Sequence, residues 1–190
     1  MTDKELIAGC KKNDRRCQNE LYKKYYPLMT SIALRYCKQT EEAKHAVNYG
    51  FFNVLQRLDR FNDKYSLATF IRMILVNHMI DEFRKKRNHI SSIYIEDHDE
   101  ISLESDNSIL DQRYEEEELR HMLNELPDVT ATVFNLYAID GYKHREIADK
   151  LNISEGTSKW HLSEARKRLK SMLQYKQNLE KKTVKVSYEW

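Results

Sequence analysis

The sequence predicts an all-α protein made of two small helical domains joined by a flexible acidic linker. Three observations carry that expectation. Among 190 residues only four are glycine and two are proline, while 33% are charged, a balance that favours helix over turn-rich sheet. Apolar residues recur at spacings of three and four in two separate blocks of chain. Between the blocks the period fades and acids accumulate. Residues 1–95 carry 18 Lys/Arg against 10 Asp/Glu, whereas residues 96–118 carry one Arg against 11 acids. The formal net charge of +2 therefore conceals two basic segments around an acidic one, an asymmetry that suggests a polyanionic partner.

The elements follow in order. Thr40 or Glu41 opens a helix whose Ala43, Ala46, Val47, Gly50, Phe51, Val54, Leu55 and Leu58 form a broad apolar stripe. After the short connection FNDKYS, Ser66 caps a second helix with Leu67, Phe70, Ile71, Ile74 and Leu75 on one face. Met73, Val76, Met79, Ile80 and Phe83 occupy its other sides, so it belongs inside a bundle. The first domain is thus 1–90. Residues 91–113 are acidic, contain Ser and Asn, and read as linker. The second domain, 114–176, opens with Glu115 to Glu118 at a helix N-terminus, where acids suit the dipole. Leu119, Met122, Leu123 and Leu126 form that helix's apolar face and Pro127 ends it. Residues 177–190 are too few for a domain and are expected to fray.

Several function classes drop out. Cys10, Cys17 and Cys37 are an odd set without a C-x-x-C pair, which speaks against a disulfide framework or a metal site and for buried reduced thiols. The N-terminus lacks the apolar core of a signal peptide. The most apolar run, FIRMILVNHMI, is broken by Arg72 and too short to cross a bilayer. A cytoplasmic protein without membrane insertion is expected. The seven histidines are scattered and no nucleophile sits in a catalytic pattern, so neither an enzyme nor a cofactor is expected. A nucleic-acid enzyme would need clustered carboxylates for metal, and the acids here concentrate in the linker.

Within the second domain, Lys143 to Leu151 reads as a short helix with Ile147, Ala148 and Leu151 inward. Asn152 and Ile153 make a tight turn, and Ser154 caps the next helix. Two helices so joined match the helix-turn-helix, whose second helix enters the major groove. On a wheel of about 100° per residue with Ser158 at zero, Leu162, Ala165 and Leu169 fall within roughly 40°. Trp160 falls at about 200°, with Lys167 near 180° and Ser163 near 140°. Trp160 therefore points away from the core. It either contacts DNA, against a thymine methyl or sugar, or packs on the tail or another domain. Lys159, Lys167 and Arg166 suit phosphates; His161 at the flank suits phosphate or solvent. Ser154, Thr157 and Ser163 complete the expected DNA-facing set.

The stretch EIADKLNISEGTSKWHLSEARKRLK, with the preceding LNELPDVTATVFNLYAIDGYKHREIA, resembles the promoter-binding helix-turn-helix (region four) of bacterial extracytoplasmic-function sigma factors. ATFIRMILVNHMIDEFRKKR resembles the family's second conserved region, through Phe70, Ile71, Asn77, Asp81 and Arg84. The resemblance covers nearly the whole chain except linker and tail. It implies that residues 1–90 bind core RNA polymerase and recognise and melt the −10 promoter element. It implies that residues 114–176 read the double-stranded −35 element. In the first domain Asn77, Arg84, Lys85 and Arg87 would track DNA, with Asp81 pairing Arg84 or Lys85 and aiming them. In the family the loop at FNDKYS receives a flipped base of the single-stranded −10 element. Tyr65 or Phe61 could stack on it, Asn62 and Asp63 read its edge, and Lys64 hold a phosphate; Phe61 is better placed as core.

A second stripe on the first long helix, His45, Asn48, Tyr49, Phe52 and Gln56, sets two aromatics on a face that should meet water. In the family this helix docks on the coiled coil of the polymerase's largest subunit. The usual motif has Asp, Gln and Glu where this chain has His45, Asn48 and Tyr49, so its acidic contacts are missing. Extended, residues 90–114 reach roughly 80 Å, more than the roughly 58 Å between the family's two promoter elements along B-DNA. Many family members are held by an anti-sigma protein covering both lobes, so such a partner is compatible with the resemblance, including tethering to a membrane through it. The competing reading is a helix-turn-helix regulator that acts on DNA without polymerase.

Overall fold

The computed structural model describes residues 1–90 and 116–186, and every regular element among them is helical. The chain divides into two compact units, Met1–Tyr94 and Ile95–Trp190. The expected linker, 91–113, lies outside the described residues, as do Glu115 and residues 187–190.

The first unit holds α1 (Asp3–Lys11), α2 (Arg15–Tyr36), α3 (Thr40–Arg57) and α4 (Leu67–Ile90), with a short 3-10 turn at Leu58–Arg60. Side chains punctuate each start. Thr2 and Glu5 form a reciprocal capping box at α1, and Asp14 accepts from the Arg16 N–H at 2.8 Å ahead of α2. As expected, Ser66 Oγ accepts from the Thr69 N–H at 3.1 Å and caps α4; such a cap contributes about 1 kcal/mol. The helices α2, α3 and α4 pack on one another, and α1 lies on α2. Their shared core includes Leu6, Leu21, Met29, Ile32, Leu58, Leu67, Ile71 and Leu75. Each such side chain contributes roughly 1.5–3 kcal/mol when fully buried. The expected α3 stripe is buried at Ala43, Ala46, Val47, Gly50, Val54 and Leu58. The Gly50 backbone faces Leu75 so closely that an added Cβ would collide with the leucine's Cδ1.

The expectation that α4 is enclosed nearly all round needs correction. Val76, Met79 and Ile80 are buried, but Met73 is 50% exposed and Phe83 half-buried. Two neighbouring helices cover two sides of α4 and leave a strip open.

The second unit holds α5 (Glu116–Asn124), α6 (Asp128–Phe134), α7 (His144–Leu151) and α8 (Glu155–Val186). Between α6 and α7, Asn135–Ile139 widens into a π-turn, closed by the Asp140 N–H donating to the Asn135 carbonyl at 2.9 Å. Helix α8 packs on α5, α6 and α7, around Leu123, Val133, Phe134, Leu136, Ile147, Leu151, Leu162, Ala165 and Leu169. The boundary placed at 176 is not a break, because α8 runs on to Val186. Lys176 Nζ meets Glu118 at 2.6 Å and joins α8 to α5. Among the described residues no helix is long and apolar enough to cross a membrane.

Candidate nucleic-acid interface

The helix-turn-helix forms where the sequence places it. Asn152 closes α7 in the left-handed region at φ 52°, a conformation that asparagine tolerates better than most residues. The Ile153 N–H returns to the Ala148 carbonyl at 3.2 Å. Ser154 Oγ accepts from the Thr157 N–H at 2.9 Å and lies 2.8 Å from the Thr157 hydroxyl. Both hydroxyls expected to face DNA thus first serve as the cap of α8. The inward face is as the wheel places it, with Ser158, Leu162, Ala165 and Leu169 buried.

On the outer side the picture is more restrained than the wheel. Trp160 is half-buried, its ring edge-on to His161 at 4.9 Å between centroids. His161 is not merely solvated: its Nδ1 lies 3.0 Å from Thr130 Oγ1 on α6. Trp160 thus stands on a histidine anchored in the body of the unit. Lys159 Nζ is 3.1 Å from Glu155, a pair exposed enough to open readily in favour of a phosphate. Ser163 and Arg166 are half-buried, and Lys167 is exposed.

A contact between α7 and α8 escaped sequence reasoning. His144 Nδ1 lies 3.0 Å from Ser158 Oγ, and the His144 ring stacks on Tyr137 at 4.4 Å and 21°. Burial pushes the His144 imidazole below its ordinary pKa. Nothing in local spacing announces this pair, because His144 and Ser158 meet only when α7 folds back on α8.

In the first unit the FNDKYS connection presents Asn62, Asp63, Lys64 and Tyr65 to solvent, Tyr65 at 67% exposure. Asn62 organises the turn: its Oδ1 accepts from the Lys64 N–H at 3.0 Å, and its carbonyl from the Tyr65 N–H at 3.3 Å. Phe61 instead packs edge-on against Phe70 at 5.4 Å; both rings are half-buried, at the margin of the core and not within it.

Along α4, Arg84 and Lys85 are exposed, while Asn77 and Arg87 are half-buried. The expected pairing of Asp81 with Arg84 or Lys85 is not made: among the described residues Asp81 forms an ion pair with neither. Lys85 Nζ meets Glu82 at 2.7 Å, and the contact holds the Glu82 carboxyl below its usual range. At i,i+3 Glu82 lies within reach on the same face.

The outer stripe of α3 is open throughout. His45, Asn48, Tyr49, Phe52 and Gln56 are all exposed, Tyr49 at 55% and Phe52 at 56%. Burial of Phe52 against the N-terminal helices is therefore excluded. Tyr22 Oη on α2 donates to Asn48 Oδ1 at 3.0 Å, and Tyr49 leans on His78 of α4 at 4.5 Å between ring centroids. Asn53 and Arg57, one and two turns beyond Tyr49, line a groove between α3 and α4 with His78. Sequence reasoning passed over all three, although the i, i+4, i+8 row of Tyr49, Asn53 and Arg57 is readable once α4 is known to lie alongside. Among the described residues, no cluster of His, Cys, Asp and Glu could hold a metal ion.

Comparison with known proteins agrees with this layout. The family described as Sigma-70 region 2 matches residues 21–89, and Sigma-70, region 4 matches residues 116–169. The chain is 22% identical over 177 residues to the ECF RNA polymerase sigma factor SigM of Mycobacterium tuberculosis, covering 92% of this chain and 86% of that protein. It is 20% identical over 181 residues to the RNA polymerase sigma-H factor of Pseudomonas aeruginosa, covering 90% and 94%. Its fold resembles the sigma factor RpoE solved with the anti-sigma factor NepR from Bartonella quintana, at a TM-score of 0.50 and 18% identity over 82% of this chain and 96% of that one.

Proposed function

Because the chain belongs to the sigma-70 family, as an extracytoplasmic-function sigma factor that directs RNA polymerase to promoters, we propose how its two units divide that task. The first unit docks core polymerase through the exposed stripe of α3 and opens the −10 element. The second reads the −35 element with α8. The observation that carries this reading is that each folded unit coincides with one conserved region. A regulator acting without polymerase would have no need of the first.

In the second unit, the N-terminal half of α8 enters the major groove. Trp160 meets an apolar edge there, Lys159, Arg166 and Lys167 meet phosphates, and Ser154, Thr157, His161 and Ser163 frame the contact. In the first unit, the exposed turn Asn62–Asp63–Lys64–Tyr65 captures an unpaired base, while Asn77, Arg84, Lys85 and Arg87 follow the backbone. Strand opening requires no covalent chemistry. Capturing unpaired bases shifts the melting equilibrium toward the open form, so the protein acts as an initiation factor and not as an enzyme. The expected place of action is the cytoplasm, on the nucleoid. An anti-sigma protein that covers both units would silence the chain; the RpoE neighbour was itself solved with an anti-sigma factor, NepR.

The deciding experiment is reconstituted transcription with bacterial core polymerase and mapping of the RNA 5′ ends. Defined start points that depend on the added chain are expected. Failure to bind core polymerase, or initiation without preference, would overturn the reading.

A further inference from the structure

Thr130 of α6 and His161 of α8 meet, Oγ1 to Nδ1, at 3.0 Å. Thr130 is 1% exposed, and among the described residues its hydroxyl has no second partner. Two residues on, Thr132 donates its hydroxyl proton to the Asp128 carbonyl of the same helix. Thr130 makes no such bond, so the one acceptor within reach of its proton is the imidazole nitrogen. A threonine hydroxyl carries one proton, and a neutral imidazole has one donor nitrogen and one acceptor nitrogen. Were Nδ1 the donor, the buried hydroxyl proton would have nowhere to go, at the full desolvation cost of that group. Nδ1 is therefore the acceptor, and the ring proton sits on Nε2. The two nitrogens point away from each other across the ring. With Nδ1 turned inward to α6, the Nε2 edge of the half-buried His161 is the outward one. Trp160 stands edge-on beside the ring at 4.9 Å between centroids.

We infer that Thr130 is a positioning residue for promoter recognition: its hydroxyl fixes His161 in the tautomer that offers Nε2–H to the duplex as a hydrogen-bond donor. The inference rests on the reading of α8 as the helix that meets the −35 element. Thr130 is too deeply buried to touch DNA and acts through His161. A donor selects an acceptor. In the major groove that means N7 or O6 of guanine, and on the backbone a phosphate oxygen. The cytosine amino group, itself a donor, is refused. The opposite tautomer would turn an acceptor outward and repel guanine's edge and phosphate alike. A clasp that did no more than join α6 to α8 would work with the proton on either nitrogen, so the tautomer separates a recognition role from a structural one.

The test has two parts and uses the full chain. First, two-bond nitrogen–proton NMR correlation on chain carrying ¹⁵N-histidine reads the tautomer at about pH 8, where an ordinary imidazole is neutral. His161→Gln identifies the His161 signals among the seven histidines. The parent and Thr130→Ser are expected to hold the proton on Nε2, and Thr130→Val, which keeps the shape and removes the hydroxyl, to show both tautomers. A parent with the proton on Nδ1 would overturn the inference. Second, holoenzyme made with core polymerase is titrated with duplex fragments carrying an intact or a scrambled −35 element. Thr130→Val is expected to weaken binding to the intact fragment about twofold to tenfold, the range of one net hydrogen bond, and Thr130→Ser to restore it. Loss on the intact fragment alone assigns the acceptor to a base edge; equal loss on both fragments assigns it to a phosphate. Unchanged affinity in Thr130→Val would overturn the inference. So would a loss that Thr130→Ser shares while its tautomer stays on Nε2, which would make the pair a structural clasp. A parent that binds both fragments alike would instead overturn the −35 reading of α8, and the tautomer measured on the free chain keeps the two failures apart.

Discussion

Ser158 Oγ lies 3.0 Å from His144 Nδ1, and this one hydrogen bond ties the two helices of the helix-turn-helix together where Ser158 is wholly buried. Ser158→Ala strands the histidine's nitrogen without a partner in a crowded site. The expected cost is about 1–2 kcal/mol, larger than for a surface serine. Urea unfolding followed by Trp160 fluorescence, with Trp190 replaced by Phe, would read it. A loss below the error of the method would mean that His144 finds another partner.

The same histidine makes the second unit sensitive to mild acid. Burial lowers its pKa from the ordinary 6.5; Lys159 and Arg166 push the same way, while Glu155 opposes. The unfolded chain therefore takes up a proton at higher pH than the folded one. Stability is fully present above about 6.5 and is lost as pH falls through the lower folded-state value. Burial acts likewise on His78 in the first unit. Carboxylates with lowered values, such as Glu5 and Glu41, start from 4.5 and act only in stronger acid. Thermal melting should drop between pH 7 and about pH 5, and His144→Gln should flatten that slope in the second unit. A flat profile in the parent over that range would refute it.

Gly50→Ala tests the approach of α3 to α4. The added methyl meets Cδ1 of Leu75, a buried side chain whose displacement requires its surroundings to repack. The helix propensity gain of about 1 kcal/mol opposes an overpacking cost of about 1–3 kcal/mol. Net destabilisation of the first unit by up to about 2 kcal/mol is expected, and Gly50→Ala with Leu75→Val should recover part of it. A stabilised single variant would show that the helices separate more freely than their contact suggests.

The core was legible because helical spacing carries it directly. The stripe from Ala43 to Val54 and the set Ser158, Leu162, Ala165, Leu169 each lie on one helix, and burial follows the period, with Phe51 at the stripe's edge half-buried. Contacts between helices were not legible. Glu82 rather than Asp81 holds Lys85, since both lie within one turn and only the fold chooses between them. His144 reaches Ser158 and His161 reaches Thr130 across helix boundaries that no local pattern encodes. The tail shows the other limit. Residues 177–190, too few for a domain, read as a fraying tail, yet α8 continues to Val186, since that stretch contains neither Gly nor Pro to stop it.

Phe52 separates docking from folding. Its ring is 56% exposed although large and apolar, which suits the centre of a protein interface. Phe52→Ala should leave melting of the first unit within about 0.5 kcal/mol. It should weaken association with core polymerase about tenfold, the range of an interface residue costing more than about 1 kcal/mol. Unchanged association, measured by fluorescence anisotropy of labelled chain, would take Phe52 out of the docking face.

Trp160→Ala asks whether the half-buried indole is a structural prop or a DNA contact. As a prop it would support His161, whose Nδ1 is already fixed on Thr130 at 3.0 Å, so its removal should cost the second unit no more than about 1 kcal/mol. As a DNA contact it carries an apolar surface that no charged neighbour can replace. Holoenzyme carrying the variant should then bind promoter fragments about tenfold more weakly, and the loss should vanish on fragments whose −35 element is scrambled. Lys167→Gln supplies the contrast. It should weaken binding to both fragments alike and lower the salt dependence by about one ion. If Trp160→Ala behaves as Lys167→Gln does, the indole contributes no sequence reading; if it leaves affinity unchanged while lowering stability, its place is on His161 and not in the groove.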